Sequence, residues 1–183
     1  MLVGLKPAFF RWPGGCVVEG ITLDNRFEWK KTLGDPAARP GEYSTWGYRC
    51  SYGFGYYEML QFCEDIGAKA MFVCNVGLGC QFRMGDACGE HDIDFYIDDC
   101  LDAIEYALGD ESTEWGARRA ADGHPAPFPL QYVEIGNENW GAEYDRRFDI
   151  FYKTIKEKYP QLTLIYNEMP QRDGASQLSL IHI

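Results

Sequence analysis

The chain has 183 residues, 46% of them hydrophobic and 15% aromatic, with a formal net charge of -11 and a mean hydropathy of -0.34. Those values describe one globular unit with a sizeable core and argue against a disordered or fibrous chain. An acidic balance without a Lys/Arg block argues against nucleic-acid binding. No apolar run of about 18 residues is present, which argues against a membrane span.

Taken in chain order, the sequence alternates strand and helix. Residues 2–10 read as a helix end running into a strand, so the chain is expected to begin mid-domain. Ala8 to Trp12 is an apolar run stopped by Pro13-Gly14-Gly15. A polar, Gly/Pro-punctuated stretch from about Glu19 to Gly55 follows, of a length that is usually functional inside a compact domain. Tyr56, Met59, Leu60 and Cys63 form a helical stripe closed by Gly67. Ala70 to Cys74 is a buried strand that leads into Asn75 and the Gly77/Gly79 loop.

Asp92 can cap a second helix with Ile93, Ile97, Cys100, Leu101 and Ile104 on one face. The polar, proline-containing segment 111–129 reads as a surface excursion. Leu130 to Ile135 is the next strand, ending in Gly136-Asn137-Glu138-Asn139. Phe148, Phe151, Tyr152 and Ile155 mark a third helix stopped by Pro160, and Leu162 to Tyr166 a fourth strand ending in Asn167-Glu168. Such alternation implies an α/β fold with a parallel sheet covered by helices. Residues 174–183 have neither cap nor period and read as an irregular or non-native tail.

In parallel α/β folds the chemistry gathers where strands end. Glu138 is the sharpest candidate, because Gly136 permits a turn that projects Asn137 and Glu138 over the end of their strand. A partly desolvated carboxylic acid there is suited to protonating a glycosidic oxygen, and Asn137 can grip a sugar hydroxyl. The competing reading, that Asn137-Glu138 merely caps the next helix, stays equally open from spacing alone. Glu134, inside the strand, reads as structural. Glu168 is a second strand-end carboxylate without an assigned partner.

Seven cysteines and no C-x-x-C pair support neither a disulfide framework nor a zinc ribbon. His91, His124 and His182 lie scattered, and neither H-x-H nor H-E-x-x-H occurs, so no metal is expected. Gly53-Phe54-Gly55 and Gly77-Leu78-Gly79 are fragments of a dinucleotide fingerprint with the third glycine missing, so no cofactor is expected either. No signal-peptide pattern or N-x-[ST] acceptor assigns a compartment.

Phe10-Arg11-Trp12-Pro13-Gly14-Gly15-Cys16-Val17-Val18-Glu19-Gly20, then Trp46-Gly47, Cys74-Asn75-Val76-Gly77 and Tyr132-Val133-Glu134-Ile135-Gly136-Asn137-Glu138-Asn139 stand in an order and spacing that resemble the α-L-arabinofuranosidases of glycoside hydrolase family 51, from about residue 5 to residue 169. The resemblance implies a (β/α)8 TIM barrel and retaining hydrolysis of terminal α-L-arabinofuranosyl residues, with an arabinose-containing oligo- or polysaccharide as partner. It implies Glu138 as acid/base and Asn137 as the sugar-binding neighbour. Cys16 would line the furanose pocket through its backbone, Trp46 would wall it, and Asn75 would face it. By the same comparison, residues 1–173 would be an incomplete barrel, about strands 2 to 5. The nucleophile's strand, the first strand and the accompanying β-sandwich would lie outside it. Such a piece is expected to be inactive alone and aggregation-prone through its open sheet edges. A β-xylosidase, an endoglucanase or a non-catalytic sugar binder remains as an alternative, and a homo-oligomeric full-length parent is left open.

Overall fold

In the computed structural model, residues 2–168 are described. The chain opens with α1 (Leu2–Leu5) and β1 (Phe9–Trp12), followed by the one-turn helix α2 (Cys16–Glu19). Short 3-10 turns at Leu23–Asn25, Trp29–Thr32 and Pro36–Ala38 lead to a two-stranded antiparallel hairpin, β2 (Glu42–Tyr43) and β3 (Arg49–Cys50). Then come α3 (Tyr56–Ile66), β4 (Lys69–Cys74), α4 (Ile93–Leu108), α5 (Glu114–Ala121), β5 (Leu130–Asn139), α6 (Ala142–Lys158) and β6 (Thr163–Glu168). The principal sheet has the order β1-β4-β5-β6, with β5 and β6 parallel. This is the α/β alternation that the apolar periodicity implies.

The elements differ from the sequence reading in three places. The stretch 19–55 is a wrapped segment with three 3-10 turns and a hairpin, not an irregular loop. The segment 111–129 contains α5, whose polar surface hides one buried cation. Arg119 is fully buried and donates from three nitrogens to the carbonyls of Tyr106, His124 and Pro125. A buried guanidinium is tolerable in a core when each of its nitrogens has a fixed acceptor, as here. Finally, α6 buries Tyr144, Arg147, Phe151 and Ile155, whereas Tyr152 is exposed. The expectation for the tail at 174–183 lies outside the described residues.

Two compact units divide the chain: residues 1–12, 28–71 and 98–131, and residues 13–27, 72–97 and 132 onward. The first is organised by aromatic rings. Trp29 packs at 5.3 Å from Tyr56, 5.9 Å from Tyr106 and 5.1 Å from Trp115, while Trp12 stacks on Tyr56. Trp29 Nε1 donates to Asp99 O, Tyr56 Oη to Ala103 O and Tyr106 Oη to the Asp122 carboxylate.

The second unit holds the strand ends. Tyr144 of α6 donates its hydroxyl to Ile135 O at 2.7 Å and accepts from Asn167 N at 2.9 Å, tying the end of β5 to the end of β6. Between Ile135↔Tyr166 and Asn139↔Glu168 the pairing shifts register, so β5 carries extra residues there. A bulge of this kind re-aims side chains at the end of a strand. The residues it re-aims are Gly136, Asn137 and Glu138.

Candidate functional site

The site grows from two local decisions of the chain. At residues 13–15, Gly14 and Gly15 take φ of 67° and 64°, a left-handed turn that glycine adopts without steric cost and that starts α2 immediately after it. Within α2, Cys16 and Glu19 are three residues apart and therefore share a face. At residues 136–138, Gly136 has φ 82°, and a Cβ there would sit 2.5 Å from Asn139 Oδ1 and 3.0 Å from Tyr144 Cε2. Only glycine fits. Glu138 then adopts φ 48°, a left-handed conformation rare for a side chain of its type. Backbone strain of order 1–3 kcal/mol persists only where the surroundings over-determine it, and such strain concentrates at functional sites.

Those surroundings are polar and specific. Asn137, 1% exposed, accepts the Gly15 N–H on Oδ1 at 2.9 Å and donates from Nδ2 to Glu19 at 3.1 Å. Asn139, also 1% exposed, donates from Nδ2 to the other Glu19 oxygen at 2.9 Å. Its Oδ1 accepts the Asn137 N–H at 2.9 Å. The Cys16 thiol lies 3.7 Å from Glu138 Oε2, donating toward it. Gln81 Oε1 accepts the Trp140 N–H at 2.9 Å, and its Nε2 donates to Trp140 O. Glu138 thus stands half-buried, between two asparagines whose own polar atoms are spoken for.

The helix-cap reading of Asn137-Glu138 does not survive. The N-cap of α6 is Gly141, and no side chain caps it.

Glu19 is 1% exposed, and its carboxyl is raised from an ordinary 4.5 to about 7. Burial is the main cause. The Asn137 hydrogen bond opposes it, the neighbouring charge of Glu138 adds to it, and hydrogen bonds from Cys80 and Asn139 oppose it again. The Cys80 thiol is pushed up to about 12, chiefly by burial and then by Glu19. Cys16, Glu19 and Cys80 each place one ligand-type atom within 4.8 Å of the others. A resident cation does not fit them, because both Glu19 oxygens already accept amide N–H groups and the buried thiol holds its proton tightly. All seven cysteines are free thiols.

The sequence matches the alpha-L-arabinofuranosidase 1 domain over residues 1–182. The chain belongs to the α-L-arabinofuranosidases of glycoside hydrolase family 51. It is 41% identical over 169 residues to alpha-L-arabinofuranosidase 2 of Arabidopsis thaliana, covering 91% of this chain and 24% of the relative. It is 40% identical to alpha-L-arabinofuranosidase A of Aspergillus niger, covering 90% and 27%. An arabinose-bound family 51 α-L-arabinofuranosidase superimposes with a TM-score of 0.85 at 34% identity, over 95% of this chain and 28% of that one. The arabinose complex of the Thermotoga maritima α-L-arabinofuranosidase gives 0.72 at 26% identity, over 90% and 32%. The chain therefore spans about a quarter of the length of the curated arabinofuranosidases it matches.

Of the residues that the family pattern singles out, the fold brings Cys16, Asn137 and Glu138 together. Cys16 meets Glu138 through its thiol, and the neighbouring Gly15 N–H donates to Asn137 Oδ1. Asn75 gives its carboxamide to four backbone bonds. Its Nδ2 donates to the carbonyls of Val18 and Leu78, and its Oδ1 accepts from the N–H groups of Gly77 and Leu78. Trp46 lies in the β2–β3 turn, 61% exposed, in the first compact unit. Glu134 is buried within β5, and the side chain of Glu168 lies outside the described residues.

Sequence reasoning passed over Glu19 and Asn139. The i, i+3 spacing of Cys16 and Glu19 was a usable signal, but only if residues 16–19 were known to be helical.

Proposed function

We propose that this chain supplies the acid/base half of a retaining α-L-arabinofuranosidase site that removes terminal non-reducing arabinofuranosyl residues. The observation that carries the reading is Glu138. It is a half-buried carboxyl held at φ 48° on the bulged end of a parallel strand, flanked by an asparagine anchored at both ends of its carboxamide. In this role Glu138 protonates the departing glycosidic oxygen and later takes a proton from the attacking water. Asn137 borders the furanose with its geometry fixed, and Cys16 lines the ring side of the acid.

Residues 1–173 then form a partial (β/α)8 barrel corresponding to about strands 2 to 5, and the nucleophile comes from outside this chain. A retaining pair needs carboxyl groups about 5–5.5 Å apart on opposite sides of the anomeric carbon. Glu19 does not meet that requirement, since it is sealed from solvent and both oxygens are occupied. The substrate class is an arabinose-bearing oligo- or polysaccharide such as arabinan or arabinoxylan.

The test is Glu138→Gln in a polypeptide of the relatives' full length that carries this segment. Turnover of unactivated arabinosides should fall by about 10²–10⁴-fold, and that of nitrophenyl arabinosides much less, because a good leaving group needs little protonation. Undiminished hydrolysis of arabinan by the variant would refute the assignment. A nitrophenyl glycoside panel in which β-xylosides outrun α-L-arabinofuranosides would replace the substrate.

A further inference from the structure

We infer that Glu19 is the positioning residue of the acid/base site: one buried carboxyl clamps the side chains on either side of Glu138 and so fixes where the proton donor points. This rests on the acid/base reading above.

The geometry is a closed bracket. One Glu19 oxygen accepts Asn137 Nδ2 at 3.1 Å and the other accepts Asn139 Nδ2 at 2.9 Å. Asn139 returns the link by accepting the Asn137 N–H, and Gly15 N–H holds the remaining end of the Asn137 carboxamide. Residues 137 and 139 are therefore each pinned through a side chain, and the residue between them has little freedom left. That residue carries the left-handed φ of 48°. Without the bracket, the strained peptide can relax toward an ordinary extended conformation, which would re-aim the Glu138 carboxyl.

A carboxyl group is the side chain that suits this arrangement. Both partners are amide NH2 groups, which only donate, so the bridging group must accept at two oxygens. A glutamine there offers one oxygen and one NH2, leaving an amide facing an amide. An aspartate keeps two acceptors on a stem one methylene shorter and cannot reach both. Glu19 is anchored for the task by α2, whose Gly20 N–H closes on Cys16 O at 2.9 Å, and by Gly20 O accepting from Cys80 N. Arranging fixed partners around a reacting group that they never touch is how a site holds its geometry, and a misplacement of about 1 Å costs on the order of 10²-fold in rate.

The experiment compares Glu19→Gln, Glu19→Asp and Glu138→Gln in the polypeptide of family length that carries these residues. Each is assayed on aryl and alkyl α-L-arabinofuranosides of graded leaving-group acidity. Glu19→Gln is expected to melt cooperatively. Its kcat should fall by about 10²-fold on the poorest leaving groups and by only a few-fold on the best, with KM little changed. Glu19→Asp should show the same graded loss, although it keeps the carboxyl group. A loss equal across the series, or no loss, would overturn the proposal. So would failure of both Glu19 variants to fold, which would make the residue a folding determinant only. The two readings separate cleanly. If Glu138→Gln is insensitive to the leaving group, the acid/base assignment fails; if it is sensitive and the Glu19 variants are not, only the bracket fails.

Discussion

Two strand ends in the same compact unit present an asparagine, and they use it in opposite ways. After β4, Asn75 turns its carboxamide back onto the chain and satisfies four backbone groups of its own turn and of α2. At the end of β5, Asn137 is held by residues far away in sequence, Gly15 and Glu19, and the adjacent Glu138 is forced into a strained backbone. One asparagine consumes its hydrogen-bonding capacity to make a loop. The other is held at both ends of its carboxamide, next to a residue in a strained backbone that carries a carboxyl. Both are held partly from a distance, Asn75 through Val18 O and Asn137 through Gly15 and Glu19, so the difference lies in the partners: backbone groups alone for Asn75, a buried carboxyl beside a strained residue for Asn137.

The contrast breaks most sharply at Glu138. Replacing it with asparagine, which tolerates a left-handed backbone, should remove turnover of unactivated arabinosides by about 10²–10⁴-fold. The melting temperature should hold or rise, since strain of order 1 kcal/mol is relieved. Calorimetry beside the kinetic assay checks both, and a marked fall in melting temperature would mean that the glutamate is held by favourable contacts rather than in spite of strain.

At the β4 end the balance should invert. Asn75→Ala leaves several backbone donors and acceptors of the 75–78 turn without their partner, and should cost about 2–4 kcal/mol in denaturant unfolding. The leaving-group dependence of the folded enzyme should stay that of the parent. If instead stability is kept and KM for the sugar rises several-fold, Asn75 is a ligand after all.

The pH dependence of stability sharpens the comparison further. Glu19 faces Cys16, Cys80 and Glu138, and its folded-state value of about 7 lies above the ordinary 4.5. Between those values the unfolded chain releases its proton first, so the folded state holds more protons and stability falls as pH rises. The contribution is fully present at acidic pH. It is lost progressively between about pH 4.5 and 7, reaching about 3 kcal/mol at most above that window. Glu19→Gln should flatten that slope relative to the parent in melts taken across the same range. An unchanged slope would show that another group carries it.

The smallest effect expected is at Gly136. Alanine there meets both Asn139 Oδ1 and Tyr144 Cε2 at a φ of 82°, and should cost about 1–3 kcal/mol with a partial loss of activity through the displaced bulge. A neutral substitution would mean that the bulge can relax without harm.

Much of this protein can be read along the chain. The stripe Tyr56, Met59, Leu60, Cys63 and the αL glycine that ends it belong to one helix, and the apolar runs before Asn75 and Gly136 belong to strands, because periodicity and turn chemistry are local. The ordered motifs also sufficed to indicate the family and to single out Glu138, Asn137 and Cys16. α5 escaped notice because its face is built from Arg119 and Gly116 and lacks an apolar stripe.

What local pattern could not decide was which asparagine would bond backbone groups alone and which would be tied to a distant carboxyl. Nor could it show that Glu19, standing at the head of a polar stretch, would be buried between residues more than a hundred positions away. A side chain's type and spacing are fixed by the sequence, but its burial and its hydrogen-bond partners are set by segments that only folding brings within hydrogen-bonding distance. Those partners determine whether a carboxyl is strained into service, sealed as a clamp or left to cap a helix.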